Sequence, residues 1–225
     1  MNTLEADSVM LSFGGRRILS NVYLKCQSGE IVGLLGRNGS GKSSLLKIIF
    51  GSLHSDHQSV RIDGKYHDTL FRTTNTVHYM PQDGFSFPYM TFMDLISIFD
   101  LKPQLDQFLE FDEIKHHLNQ KMGTLSSGVR KFMEIIILLY TKGSFVLLDE
   151  PFSFLSPILV EKLIPHITKQ SSQKGIILTD HQYETVLNVC DRLYLINQES
   201  IFEIQGVEDL EKNGYLIKQS AKTLE

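Results

Sequence analysis

The chain is short of several things, and each shortage removes a class of protein. It has two cysteines in 225 residues, Cys26 and Cys190. They lie far apart in apolar settings with no C-x-x-C or Cys/His ligand spacing, so the expectation is two buried thiols in a reducing cytosol, not a disulfide framework or metal centre. No apolar run reaches the ~18 residues that cross a bilayer. Met1 to Asp7 carries two acidic residues and no basic stretch, so no export leader is expected and the chain reads as soluble and intracellular. Charge of one sign is not in excess either: 22 Lys+Arg against 26 Asp+Glu give a formal −4. Such a balance offers no general attraction to nucleic acid or anionic lipid, and nucleic acid is not an expected partner. No repeat, linker or low-complexity tract divides the chain, and 42% hydrophobic residues suffice for one large domain with a real core.

What the sequence does have begins at Gly36-Arg37-Asn38-Gly39-Ser40-Gly41-Lys42-Ser43, which fits the P-loop pattern G-x-x-x-x-G-K-[ST]. Glu30 to Leu35 before it is a short apolar run that reads as a buried strand. Ser44 to Phe50 after it has apolar residues at helical spacing. Glycines at 36, 39 and 41 let backbone N–H groups approach phosphate oxygens, and the first turn of the helix adds unpaired N–H groups and its positive dipole end. Lys42 then reaches the β- and γ-phosphates as a point charge, and the Ser43 hydroxyl takes a position on Mg²⁺.

Val9–Phe13 and Val22–Cys26 read as strands separated by the turn-prone Gly14-Gly15 and by Arg16-Arg17. Phe13, ending its strand beside the P-loop, either packs against neighbours or stacks on a purine, which would give ATP only a preference over GTP. Ser59–Gly64 and Thr76–Met80 are further strands, and Gln82 follows in a hinge where its carbonyl suits Mg²⁺ or water. From Asp83 the pattern turns helical, with spacing over Phe92–Phe99 and Phe108–Leu118. Phe85, Phe87, Pro88, Tyr89 and Met90 form an apolar cluster that is either core or a docking groove. His116 and His117 are adjacent, point apart on a helix and cannot share a metal. Leu125 to Lys131 opens a long amphipathic helix running to Tyr140, with Ser126 or Ser127 as its N-cap. Phe145–Glu150 is a buried strand ending in two carboxylates at the edge where open α/β folds bind ligands. Asp149 suits Mg²⁺, and Glu150 suits holding or deprotonating an attacking water. Ser156-Pro157 starts the next helix, which Pro165 should kink if the helix continues that far. Gly175–Thr179 is another buried strand, after which His181 is either structural or a γ-phosphate contact. Leu193–Ile196 and Ser200–Ile204 are strand candidates before an acidic stretch and a terminal helix.

The order of these pieces resembles the nucleotide-binding subunit of ABC transporters, from about Val9 to Leu210. The resemblance makes Gly36 to Ser43 the Walker A, Gln82 the Q-loop, Leu125-Ser126-Ser127-Gly128-Val129 the signature motif, Asp149 and Glu150 the Walker B pair and His181 the switch histidine. Phe13 falls where that family places its adenine-stacking aromatic. It implies an α/β P-loop NTPase fold of ABC type: a mixed sheet core with an N-terminal antiparallel β subdomain (residues 1–82 and 142–225) and an inserted helical lobe (83–141). The implied cofactors are ATP and Mg²⁺. Phe13, Gly36, Asn38, Gly39, Ser40, Gly41, Lys42, Ser43, Ser44, Ser126, Ser127 and Gly128 would bind nucleotide; Ser43, Gln82 and Asp149 would hold the metal; Glu150, His181 and Lys42 would act in hydrolysis. Two copies, identical or not, would sandwich two ATP molecules, each between one chain's Walker A and the other's signature, on the inner face of the cell membrane beside a separate integral permease subunit.

This sequence departs from the family pattern at three positions. The signature usually reads Leu-Ser-Gly-Gly-Gln, and here Ser127 and Val129 replace its first glycine and its glutamine. The loop after Walker B usually ends in Leu-Asp, and here it reads Phe154-Leu155-Ser156. All three fall on the face expected to meet the second copy. Against a transporter engine stand a cytosolic ABC-type ATPase acting in DNA repair or on the ribosome, and a regulatory module that hydrolyses little. A P-loop kinase or GTPase would not explain the signature, the helical lobe and His181 together.

Overall fold

A computed structural model describes residues 2–67 and 76–216. Strands β1 (Thr3–Phe13) and β2 (Arg16–Gln27) form an antiparallel hairpin whose turn is Gly14-Gly15, both at positive φ, with Phe13 opposite Arg16. Both strands are longer than the apolar runs suggested. In β1 the extra length alternates buried Leu4 and Ala6 with half-exposed Thr3, Glu5 and Asp7. A register shift next to Ser8, at φ +53, then returns Val9 to the core side. Arg16 and Arg17 belong to β2 and not to the turn. With β4 (His57–Ile62) and β5 (Lys65–Tyr66) the hairpin makes a four-stranded antiparallel sheet, ordered β2-β1-β4-β5.

The second sheet has six strands. It is built on β3 (Ile31–Gly36), every residue of which is buried, with β6 (Val77–Met80), β7 (Phe145–Asp149), β8 (Gly175–Thr179), β9 (Arg192–Asn197) and β10 (Ser200–Ile204) in the order β10-β9-β3-β8-β7-β6. All neighbours run parallel except β10 with β9, so the sheet is mixed. Period-two alternation divides its side chains between two cores. Val32, Leu34, Leu147 and Ile177 face α1 (Lys42–Phe50) and the antiparallel sheet. Ile31, Leu35, Leu148 and Ile176 face the helices on the other side.

Those helices are α2 (Phe92–Ile98), α3 (Leu105–Phe108), α4 (Asp112–Lys115), α5 (Ser127–Tyr140) and α6 (Pro157–Ser171); α7 (Tyr183–Val189) and α8 (Val207–Lys212) follow. The stretch Phe108–Leu118 is not one helix. Phe108, Phe111 and Ile114 all turn inward, but Phe111 is extended (φ −88, ψ 119) and starts α4 afresh, so three-residue spacing here reflects two short turns. Helix α5 is less amphipathic than its sequence implied, since every residue from 131 to 140 is buried, packed against the neighbouring helices and the larger sheet. Helix α6 continues through Pro165. The acidic stretch is itself α8, and residues 217–225 lie outside the described part. The apolar cluster after Gln82 divides: Phe85 and Met90 pack against the core, while Phe87 and Tyr89 are exposed and stack on each other at 5.5 Å between ring centres.

Candidate functional site

The P-loop leaves the buried end of β3 and enters α1 at Gly41, the helix N-cap, at φ +104. A Cβ at Gly41 would stand 2.8 Å from Leu19 Cδ2, and one at Gly36 would stand 2.5 Å from Ser40 Oγ, so both positions need glycine for close approach. The first i→i−4 bond of α1 is Leu45 N to Gly41 O at 2.8 Å, which leaves the N–H groups of residues 42–44 at an open helix end. Lys42 is 5% exposed and folds back on the loop, its Nζ donating to Gly36 O at 2.8 Å and Arg37 O at 3.3 Å. Burial lowers its pKa, opposed by the nearby charges of Glu150, Asp149 and Asp180. The Ser40 hydroxyl is buried with no hydrogen-bond partner among the described residues. An unpaired hydroxyl, an open helix end and a lysine whose hydrogen bonds go to backbone carbonyls fit a polyphosphate, whose oxygens accept from all three.

Opposite the loop, Asp149 is 1% exposed, and three hydroxyls hold its carboxylate. Oδ1 accepts from Ser43 Oγ and Thr179 Oγ1, each at 2.9 Å, and Oδ2 accepts from Tyr79 OH at 3.0 Å. Burial, with Asp149 beside it, raises the Tyr79 pKa, so the phenol stays a donor. The Ser43–Asp149 pair is a hard-oxygen set that suits Mg²⁺, a cation that usually takes one or two protein ligands plus phosphate and water.

Glu150 sits at φ +51 where β7 ends, its N–H donating to Thr179 O at 2.8 Å. Its Oε2 accepts from Gln82 Nε2 at 2.8 Å and Ser153 Oγ at 3.1 Å, and His181 Nδ1 lies 3.9 Å away. His181 is half exposed, with Nδ1 also 3.5 Å from Asp180 Oδ1. Asp180 is fully buried and accepts from Phe152 N and Gln182 N, each at 3.0 Å, which fixes the loop that carries the histidine. An open cleft of ≈ 850 Å³ is lined by Phe13, residues 38–44, Gln82, Glu150, Ser153, Phe154, His181 and Gln182. Phe13 is 52% exposed at its rim, where a ring can meet a planar base.

The Leu125–Val129 segment is elsewhere. Ser126 is the N-cap of α5, accepting from Val129 N at 3.3 Å, and Ser127 lines a separate hollow of ≈ 390 Å³ with Gln82, Lys131 and Phe154. Ser126, Ser127 and Gly128 do not line the P-loop cleft of their own chain. Gly128 packs against the loop after Glu150, where its Cβ would stand 2.7 Å from Phe154 O. Ser156 is the N-cap of α6, accepting from Leu159 N at 3.4 Å.

Sequence reasoning missed Tyr79, Ser153, Thr179, Asp180 and Gln182. Thr179 and Asp180 carried a usable signal, because polar residues closing a buried strand at the acidic edge have to hydrogen-bond there. Tyr79 carried none, since an aromatic in a strand reads first as packing. Both cysteines are free thiols whose pKa burial raises. Among the described residues no helix is long and apolar enough to cross a membrane.

Residues 19–153 match the ABC transporter family. The chain is 34% identical over 214 residues to the lipopolysaccharide export system ATP-binding protein LptB of Escherichia coli K12, covering 88% of each. It is 32% identical to a probable ABC transporter ATP-binding protein of Azorhizobium caulinodans, covering 88% of this chain and 75% of that one. In three dimensions it superposes on a solved ATP-binding subunit of an ABC transporter with a TM-score of 0.81 at 20% identity, over 95% of this chain and 93% of the other.

Proposed function

Because the chain belongs to the ABC transporter family, among its ATP-binding subunits, we propose that it is the ATPase that powers a membrane transporter by closing on a second ATP-binding subunit around ATP. The observation that carries this reading is a separation: the phosphate cradle and the Asp149–Glu150 edge share one cleft, while Ser126, Ser127 and Gly128 lie outside it. A phosphate held on Lys42 therefore meets an α5 N-terminus only when another chain supplies it. The membrane-spanning part of the transporter is then a separate chain, and this subunit sits against it on the cytoplasmic face.

Within the site Lys42 exchanges its carbonyl partners for the β- and γ-phosphates, and Ser40 and the residue 42–44 amides complete the cradle. Ser43, Asp149 and Gln82 would hold Mg²⁺, which when bound neutralises phosphate charge. Glu150 orients a water and takes its proton, after Gln82 and Ser153 release Oε2. His181 donates to the γ-phosphate from the loop that Asp180 fixes. Phosphoryl transfer needs mostly positioning and charge stabilisation, which these groups supply.

The test is Glu150→Gln, which should bind ATP, slow hydrolysis by ~100-fold or more, and run as an ATP-dependent dimer in size exclusion with light scattering. Turnover at the parental rate, or a chain that stays monomeric with ATP, refutes the reading. A second reading, weak hydrolysis by the isolated chain, is favoured by Ser127: it puts a Cβ where a partner's phosphate must approach backbone closely.

A further inference from the structure

Tyr79 lies in β6, the strand beside the one that Asp149 closes, and the parallel register sets it opposite Leu147. Its ring packs on Phe50 of α1, 5.5 Å between ring centres, and its phenol reaches Asp149 Oδ2 at 3.0 Å. Phenylalanine would pack there as well, so what the hydroxyl adds is the bond to the carboxylate.

That bond changes what Asp149 has left to give. A carboxylate offers roughly four lone-pair positions, two on each oxygen. Asp149 is 1% exposed, so protein groups have to fill them. Ser43 Oγ and Thr179 Oγ1 both donate to Oδ1, and Tyr79 takes one position on Oδ2. Among the described residues no donor fills the remaining position, which is what Asp149 can offer to a cation or to a metal-bound water. A single contact suits Mg²⁺, which takes few protein ligands and keeps several waters in a strict octahedron. Ca²⁺ instead takes ~6–8 oxygens, often both oxygens of one carboxylate.

We infer that Tyr79 is a positioning residue for the metal: by occupying Oδ2 it keeps the Asp149 carboxylate from turning and from offering both oxygens, and so sets the preference of the site for Mg²⁺ over Ca²⁺. The inference rests on the reading that Asp149 serves Mg²⁺. Without the phenol, both positions on Oδ2 stand open, on a carboxylate that Ser43 and Thr179 hold by one oxygen and leave free to swing about it. Outer hydrogen bonds of this kind change metal affinity by ~10–100-fold.

The experiment is titration calorimetry of the full chain with an ATP analogue whose β–γ bridge is an imido group and resists hydrolysis, in EDTA, in excess Mg²⁺ and in excess Ca²⁺. Each cation's contribution is the Kd in EDTA divided by the Kd with that cation. Tyr79 does not line the P-loop cleft, so Tyr79→Phe should keep the EDTA Kd within about twofold of the parent's while the Mg²⁺ contribution, relative to that of Ca²⁺, falls by about tenfold or more. Added to Asp149→Asn, the same substitution should move that ratio by less than about twofold, because its effect passes through the carboxylate. Tyr79→Leu serves if Tyr79→Phe does not fold. An unchanged ratio, or an equal fall in both contributions, overturns the inference, since a bond that only supports the fold would affect both cations alike. Failure of both variants to fold overturns it too, because the phenol is then structural. Asp149→Asn measured alone separates the two levels. If it keeps the parent's Mg²⁺ contribution, the reading of Asp149 itself fails; if it loses that contribution while Tyr79→Phe keeps the parent's ratio, only the inference about Tyr79 fails.

Discussion

Gly128→Ala sets two effects against each other at one atom. Gly128 is the second residue of α5, and by helix propensity alone alanine gains up to ~1 kcal/mol there. The new Cβ, however, stands 2.7 Å from Phe154 O, a backbone carbonyl that has no rotamer to escape into. Restoring ordinary contact at 3.4 Å requires the loop to retreat by 3.4 − 2.7, or about 0.7 Å. That loop lies between two non-glycine residues in left-handed conformation, Glu150 at φ +51 and Phe154 at φ +67, so it has little freedom to give way. Overpacking of this kind costs ~1–3 kcal/mol. The clash outweighs the propensity gain, leaving a net loss of ~1 kcal/mol and, at this chain length, a Tm lower by ~2–4 °C. Differential scanning calorimetry measures it directly. Phe154→Gly, which removes the strain at that φ, should make the same alanine cheaper because the carbonyl can then move. A Tm that rises on Gly128→Ala would refute the reasoning and place Phe154 farther from the helix than described.

Lys42→Ala should lose ATP binding in titration calorimetry, since among the described residues it removes the one ammonium that lines the phosphate cradle, and unchanged affinity would mean that the loop does not bind phosphate. Ser127→Gly combined with Ser156→Asp keeps an N-cap on α6 and should raise the ATPase rate measured against protein concentration. A parent that already turns over at ~1–10 per second with no gain in the double variant would make the substitutions neutral. His78 packs edge-on to Phe99, and burial, reinforced by the charge of Lys174, pushes its pKa down from 6.5 to about 4. A lowered pKa gives stability that is complete above the unfolded value and fades as pH falls toward the folded one. The urea midpoint of the parent should therefore fall more steeply between pH 7 and 5 than that of His78→Gln, and parallel slopes would reject the assignment.

The P-loop and the acidic strand end were legible in the sequence because each is local. Gly36 to Ser43 needs only its neighbours to form, and five consecutive apolar or acidic residues define β7. What was not legible depends on distance in sequence. Tyr79 meets Asp149 across 70 positions, and Thr179 meets it across 30, so no window around either residue shows the pairing. The length of β1 was hidden for a different reason: Glu5 and Asp7 alternate with its buried residues, and a period-two strand with charges on its open face has a weak apolar signal. Phe108–Leu118 misled because three-residue spacing serves a single helix and a pair of short turns equally well.

The order of the larger sheet has a consequence for how the protein is made. β3 carries the P-loop and is complete by residue 36, yet its two neighbours are β8 and β9, which end at residues 179 and 197. On the ribosome the strand that will cradle nucleotide thus waits, its four core side chains Ile31, Val32, Leu34 and Leu35 unpacked, until most of the chain has been translated. Closing such distant parallel pairs is slow, and an unpaired apolar strand is a hazard for association with the wrong chain during that interval. Refolding should be limited by the arrival of residues 175–197 beside β3 and should be indifferent to ATP until they dock.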